Sequence, residues 1–190
     1  ITLTGIGDSA GLGATTTAIG NAKTAGTVTL AGDDYHTGAA TYTGGSFSIT
    51  GTDPEFKTTD LAIEFAAADS TGGDVTLADA ADLSVATGTG SITFGGDILG
   101  TDNGVATDVV LDSSGTVSVK SIGANGSTAD GNINDVTIDG STITLNGTIS
   151  TAVLGGTGAT KATDLGVVDI NGNVALGGST TIDTSATGND

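Results

Sequence analysis

The chain holds one imidazole, His36, and no thiol, so any metal or nucleophile chemistry must rest largely on carboxylates. His36 follows Asp33, Asp34 and Tyr35 and reads as a loop residue with no catalytic or metal role. Paired carboxylates recur: Asp33 with Asp34, Asp53 with Glu55, and Asp79 with Asp82. Glycosidases work with such pairs. A sugar site also wants aromatic platforms and cations, and this chain has no Trp and no Arg. These acids therefore read as a solvated surface, and the chain is not expected to be an enzyme. The Gly-rich stretch at 11–20 (GLGATTTAIG) lacks the spacing of a phosphate-cradling loop.

One polar set has a repeating position. Asp112, Asp139 and Asn171 each follow an apolar residue (Leu111, Ile138, Ile170) and precede a Gly- or Ser-containing turn. If they stack at strand spacing, the two aspartates repel unless a cation or a donor intervenes. Asp112 and Asp139 are thus the candidate metal ligands, for calcium, which takes hard oxygen donors. Backbone N–H groups and the Asn171 amide are the alternative. No other cofactor is in view.

The elements that would carry these residues are short strands. Apolar residues alternate with small polar ones, as in Val28 and Leu30, Phe47 and Ile49, Val75 and Leu77, and Val117 and Val119. Residues 60–69 (DLAIEFAAAD) are the best helical stretch, but Leu61, Ile63 and Phe65 keep period two, so a strand is expected there. Gly, Asp, Asn and Ser punctuate the gaps. Four segments share one pattern, beginning at Leu83, Val109, Val136 and Val167, spaced 26, 27 and 31 residues apart. Such spacing is one turn of a broad parallel β-solenoid, in which each turn buries its inward face only against its neighbours. The expected fold is therefore all-β, an uncapped parallel solenoid of about seven coils. Residues 73–83 also align on 172–182 at an offset of 99, and Asp190 followed by Ile1 repeats the pattern of Ser91 followed by Ile92. This divides one continuous solenoid into modules 1–91 and 92–190, cut from a longer array.

Composition agrees with a narrow core. Gly numbers 33, Pro 1 and Cys 0, and aromatics are 3%. Val, Ile, Leu, Ala and Thr suit ladders of stacked β-branched side chains. With 36% hydrophobic residues the chain is not a disordered polymer. The net charge of −18 argues against nucleic acid and against anionic membrane surfaces as partners. No apolar run approaches the roughly 18 residues needed to insert in a bilayer.

The phrases TTIDTSATGND (180–190), ITLTGIGD (1–8), ATGTGSITFGGDI (86–98) and ATYTGGSFSITG (40–51) resemble the repeats of filamentous-haemagglutinin-like exoproteins and other giant bacterial surface adhesins. The resemblance implies a right-handed parallel β-helix, export across the outer membrane, and work in adhesion, biofilm or surface layers. It brings no catalytic residues. The expected role is a secreted, cell-surface structural or adhesive repeat segment. Its partners would be its own copies or adjacent tandem repeats, joined head to tail, with surface glycans or host or neighbouring cells as targets. The alternatives are tandem immunoglobulin-like sandwich modules of about 95 residues in an adhesin stalk, and a carbohydrate-active β-helix.

Overall fold

The structure, a computed structural model, describes residues 1–7, 16–21, 26–68, 72–78, 80–100, 107–123, 133–151 and 166–184. Among these there are eighteen strands and no helix. The first nine are β1 (Thr2–Leu3), β2 (Thr16–Ile19), β3 (Thr27–Leu30), β4 (Asp34–His36), β5 (Ala39–Gly44), β6 (Ser46–Ile49), β7 (Glu55–Lys57), β8 (Ile63–Ala67) and β9 (Asp74–Leu77). The rest are β10 (Leu83–Ala86), β11 (Ile92–Phe94), β12 (Ile98–Gly100), β13 (Val109–Asp112), β14 (Thr116–Val119), β15 (Val136–Leu145), β16 (Ile149–Ser150), β17 (Val168–Leu176) and β18 (Ile182–Asp183).

Every pairing among the described strands is parallel. An immunoglobulin-like sandwich is built from antiparallel hairpins and Greek keys, so that alternative is excluded. The strands form three stacks in curled, solenoid-like sheets. The first runs β1-β3-β6-β9-β12 and reaches β16 and β18 through bridges at Ile122. The second runs β4-β7-β10-β13 and the third β2-β5-β8-β11-β14. Both end on the same long strands: β15 pairs with β13 through Val136–Asp139 and with β14 through Thr142–Leu145, and β17 lies on β15 along both halves. The register breaks between Asp139 and Thr142, where the chain turns from one stack to the other.

Period two decides which side chains are buried. Leu83, Val109 and Val136 pair in one inward ladder, and Ile92, Val117 and Ile143 in another, as their matched spacing predicts. None of the six is more than 1% exposed. A third ladder, Val28–Phe47–Val75–Ile98–Ile122–Ile149, lines the first stack. All three contribute to one continuous apolar core. Each such residue contributes roughly 1.5–3 kcal/mol by leaving water. Pairing is unbroken across residues 91 and 92, since β11 lies between β8 and β14.

Three expectations are corrected. Val136 pairs with Val168, one residue later than the sequence pattern placed it, and Val167 is 59% exposed. Residues 60–69 do contain a strand, but Leu61 lies outside it and is 44% exposed. Asp60 adopts a left-handed conformation (φ 60°), and the Thr58 hydroxyl donates to the Leu61 carbonyl, so a turn occupies 58–61 before β8 begins. The 99-residue alignment joins unlike positions: Val75 lies in the first stack against Phe47 and Ile98, whereas Val174 lies opposite Ile143, which belongs to the third.

The core is also less purely aliphatic than composition implies. The two tyrosines and four phenylalanines all fall between positions 35 and 94, and all are buried. Tyr42, Phe65 and Phe94 stack face to face on successive rungs at 4.9 and 4.8 Å, and Tyr35 stacks on Phe56 at 4.5 Å. Those distances are the strand spacing itself, about 4.8 Å.

Candidate functional site

The second stack positions the chemistry-bearing residues. Its inward row is Tyr35–Phe56–Val85–Leu111–Ile138–Ile170, so alternate residues point outward in two rows. One reads Asp34–Glu55–Ser84–Val110–Thr137–Asp169. The other reads His36–Lys57–Ala86–Asp112–Asp139–Asn171. The lone histidine and the predicted aspartate ladder thus share one row.

At the early end of these rows, four ionisable residues meet on two adjacent rungs. His36 Nε2 lies 2.6 Å from Glu55 Oε2 and 3.9 Å from Asp34 Oδ1. Lys57 Nζ lies 3.6 Å from Glu55 Oε1. The Asp34, His36 and Glu55 donor atoms all fall within 4.8 Å of one another. His36 is therefore not a loop residue: it sits on β4, is only 7% exposed, and is held by a carboxylate from the next rung. Sequence separation hid this contact, because Glu55 reaches His36 only once β7 pairs with β4. The Asp34 carboxyl is 66% exposed and opens the cluster to solvent.

At the late end, Asp112 pairs with Asp139 and Asp139 with Asn171, in the register expected of the polar ladder. Asp112 and Asn171 are exposed and Asp139 is half-buried. The exposed ends let water moderate the repulsion between carboxylates one strand apart.

A second aspartate system was not foreseen. Asp82, Asp108 and Asp135 each stand one residue before an aligned strand start, at Leu83, Val109 and Val136. Each carboxylate accepts the backbone N–H of the corresponding residue on the next rung. Asp82 Oδ1 accepts from Asp108 N at 3.0 Å, Asp108 Oδ1 from Asp135 N at 3.0 Å, and Asp135 Oδ1 from Val167 N at 2.7 Å. Asp108 Oδ1 also accepts from the Asn134 amide at 3.0 Å. The same device recurs in the first stack, where Asp74 accepts from Asp97 N and Asp97 from Ser121 N, at 2.9 and 3.1 Å. These carboxylates satisfy corner N–H groups that would otherwise have no ladder partner. The signal was present: an Asp precedes each of the first three aligned starts.

A different column closes the next corner. Thr37, Thr58, Thr87 and Ser113 follow β4, β7, β10 and β13, and all are buried. Their hydroxyls turn back onto carbonyls, as Thr87 Oγ1 does to Gly90 at 2.8 Å. Gly88 supplies the left-handed step between them (φ +58°), where a Cβ would also strike Asp60 Oδ1 at 2.6 Å.

The paired carboxylates of the sequence therefore do separate jobs. Asp33 accepts from Asp53 N and Asp82 from Asp108 N, while Asp79 lies outside the described residues. Burial holds the Asp82 carboxyl above its usual range, with the charges of Asp108 and Asp53 adding to the effect against the hydrogen bond from Asp108. Burial likewise raises the Tyr35 phenol, whose hydroxyl accepts from Gly32 N and donates to the Leu3 carbonyl, tying two rungs together.

Asp108→Ala strands two donors, the Asp135 N–H and the Asn134 amide, and is expected to cost about 1–3 kcal/mol. Asp108→Asn keeps a carbonyl acceptor at the same place and should cost clearly less. Urea unfolding of both variants checks this. Equal losses would mean that the negative charge, and not the acceptor, carries the effect.

No family model, no curated protein and no solved structure matches the chain.

Proposed function

We propose that this chain is a structural or adhesive repeat segment of a secreted extracellular filament or giant surface adhesin. In this reading the three stacks are the sides of a right-handed parallel β-helix of about seven coils, which propagates head to tail. Support for closed winding comes from β15 and β17, which pair with each other in both stacks on either side of the register break at Asp139/Thr142, and from the apolar core shared by the described strands.

The observation that carries head-to-tail addition is the pair of open rungs. Val174, Leu176 and Ile182 occupy rows that are buried one rung earlier, at Ile143, Leu145 and Ile149, yet are 48%, 66% and 51% exposed. At the other edge β3 is the one partner of β1 among the described strands, and Ile1 is 62% exposed. Unpaired parallel edges with apolar rows invite another strand of the same kind. The two surfaces differ, so the contact is heterologous and extends rather than closes. A second copy or an adjacent tandem repeat fits it equally well. The sequence match between Asp190 and Ile1 falls outside the described residues at Asp190. No helix among the described residues is long and apolar enough to cross a membrane. Cell-surface localisation and glycan or cell-surface targets belong to the same proposal, as does calcium at Asp112 and Asp139.

The charge of −18 per copy opposes assembly. Salt and calcium should therefore lengthen fibres by screening and bridging, and EDTA should remove only the calcium increment. Sedimentation and negative-stain imaging read this directly. Leu176→Lys, on the exposed row of β17, should stop fibre growth while leaving the unfolding midpoint nearly unchanged. A chain that stays monomeric at high concentration and high salt overturns the proposal.

A further inference from the structure

We propose that Asp34, His36 and Glu55 form a binding site for a divalent first-row transition ion, with Zn²⁺ best suited to the donors. This site is separate from assembly and from the Asp112–Asp139 ladder. The ladder offers only oxygen donors, which suit calcium. The cluster at β4 and β7 adds an imidazole nitrogen, and nitrogen with carboxylate oxygens is a zinc, nickel or copper donor set.

The geometry carries the argument. Donors bound to zinc at about 2.0–2.2 Å stand roughly 3.3–3.5 Å apart in a tetrahedron. The observed separations from His36 Nε2, 2.6 Å to Glu55 and 3.9 Å to Asp34, bracket that value. Reaching that value takes an opening of about 0.7 Å at Glu55 and a closing of about 0.4 Å at Asp34, movements on the scale of side-chain rotation. The backbone is already fixed, because Asp34 pairs with Glu55 and His36 with Lys57 in one parallel ladder. His36 is buried and faces the carboxylates, and the exposed side of Asp34 leaves a route for the ion and room for water as a fourth ligand.

Charge points the same way. Two carboxylates are brought together on adjacent rungs, and Lys57 approaches Glu55 through Oε1, leaving Oε2 turned to His36. A dication between them takes the place of the direct His36–Glu55 contact, with Nε2 presenting its lone pair to the metal.

The test uses the whole chain, stripped with chelator and titrated with Zn²⁺ by calorimetry, with Cu²⁺ as a spectroscopic probe. The chain has one histidine and no cysteine, so an imidazole nitrogen coupled to Cu²⁺ can come only from His36. One-to-one Zn²⁺ binding and one coupled imidazole nitrogen are expected. Asp34→Asn and Glu55→Gln are near-isosteric, and each should weaken Zn²⁺ binding by more than the roughly 10–100-fold that an outer partner is worth. His36→Gln should abolish the nitrogen signal. His36 is buried, so if that variant fails to fold, the exposed Asp34→Asn still decides. Zn²⁺ binding unchanged in Asp34→Asn and Glu55→Gln, or a Cu²⁺ spectrum without imidazole nitrogen, shows an ion pair only and overturns the proposal.

Discussion

Ile143→Asp is expected to remove about 3–5 kcal/mol of stability, a large part of the roughly 5–15 kcal/mol of a native domain. Ile143 is fully buried, with Val117 beside it on one rung and Val174 on the next. An aspartate there meets apolar neighbours above and below in its ladder. It must either hold an unpaired charge or take up a proton, and both options cost free energy. Because protonation relieves part of the penalty, the loss should shrink at low pH. Two companions isolate the cause. Ile143→Val keeps the ladder and should cost only about 0.5–1.5 kcal/mol. Val174→Asp stands in the same row one rung on, but is 48% exposed, so its charge stays hydrated and the cost should be small. Chemical unfolding of the three variants measures the contrast. If Ile143→Asp and Val174→Asp lose the same amount, the ladder is not the buried core described above.

The pattern that locates Ile143 was legible in the sequence for a physical reason. Between residues 83 and 145 the rungs are of nearly equal length, so Leu83, Val109 and Val136 recur at 26 and 27 residues and their register can be read directly. Elsewhere corner lengths vary. Thr27 pairs with Ser46 after 19 residues, but Ser46 pairs with Asp74 after 28. A fixed period cannot follow such steps, and the one-residue slip at Val167 has the same origin. His36 failed for a related reason. Its neighbours in sequence are a turn-like acidic run, whereas its partners in space, Glu55 and Lys57, lie one short rung away. The corner aspartates do leave a mark in the sequence. Asp82, Asp108 and Asp135 keep the same phase as the strand starts, and a carboxylate there has an N–H to bind on the next rung. The ladder at Asp112 and Asp139 is legible through the like-charge repulsion that its stacking implies, whereas the columns that satisfy backbone donors share the composition of ordinary turns.

Phe65→Ala is expected to be the most damaging single truncation, at about 3–5 kcal/mol. Phe65 stacks between Tyr42 and Phe94 and meets Phe47 and Phe56 edge-on, with centroids 5.4 and 5.3 Å away. Removing it leaves a cavity and four aromatic neighbours each missing a partner. Phe94 has Phe65 as its described ring contact, so Phe94→Ala should cost less. A double-mutant cycle on the pair should give a coupling of about 0.5–1.5 kcal/mol, the usual worth of a stacked pair beyond its area. The damage should also be local. Each rung contacts mainly its neighbours, so the effect should decay along the stack as it does in quasi-one-dimensional folds. Hydrogen exchange should show protection lost around residues 35–94, where the aromatic rings lie, and largely kept at Val117, Ile138 and Ile143. Phe65→Leu refills most of the volume without the ring and should recover part of the stability, but not the coupling to Phe94. A loss under about 1 kcal/mol for Phe65→Ala, or protection lost uniformly to Ile143, would mean that the aromatic row is not a local brace and that the chain unfolds as one unit.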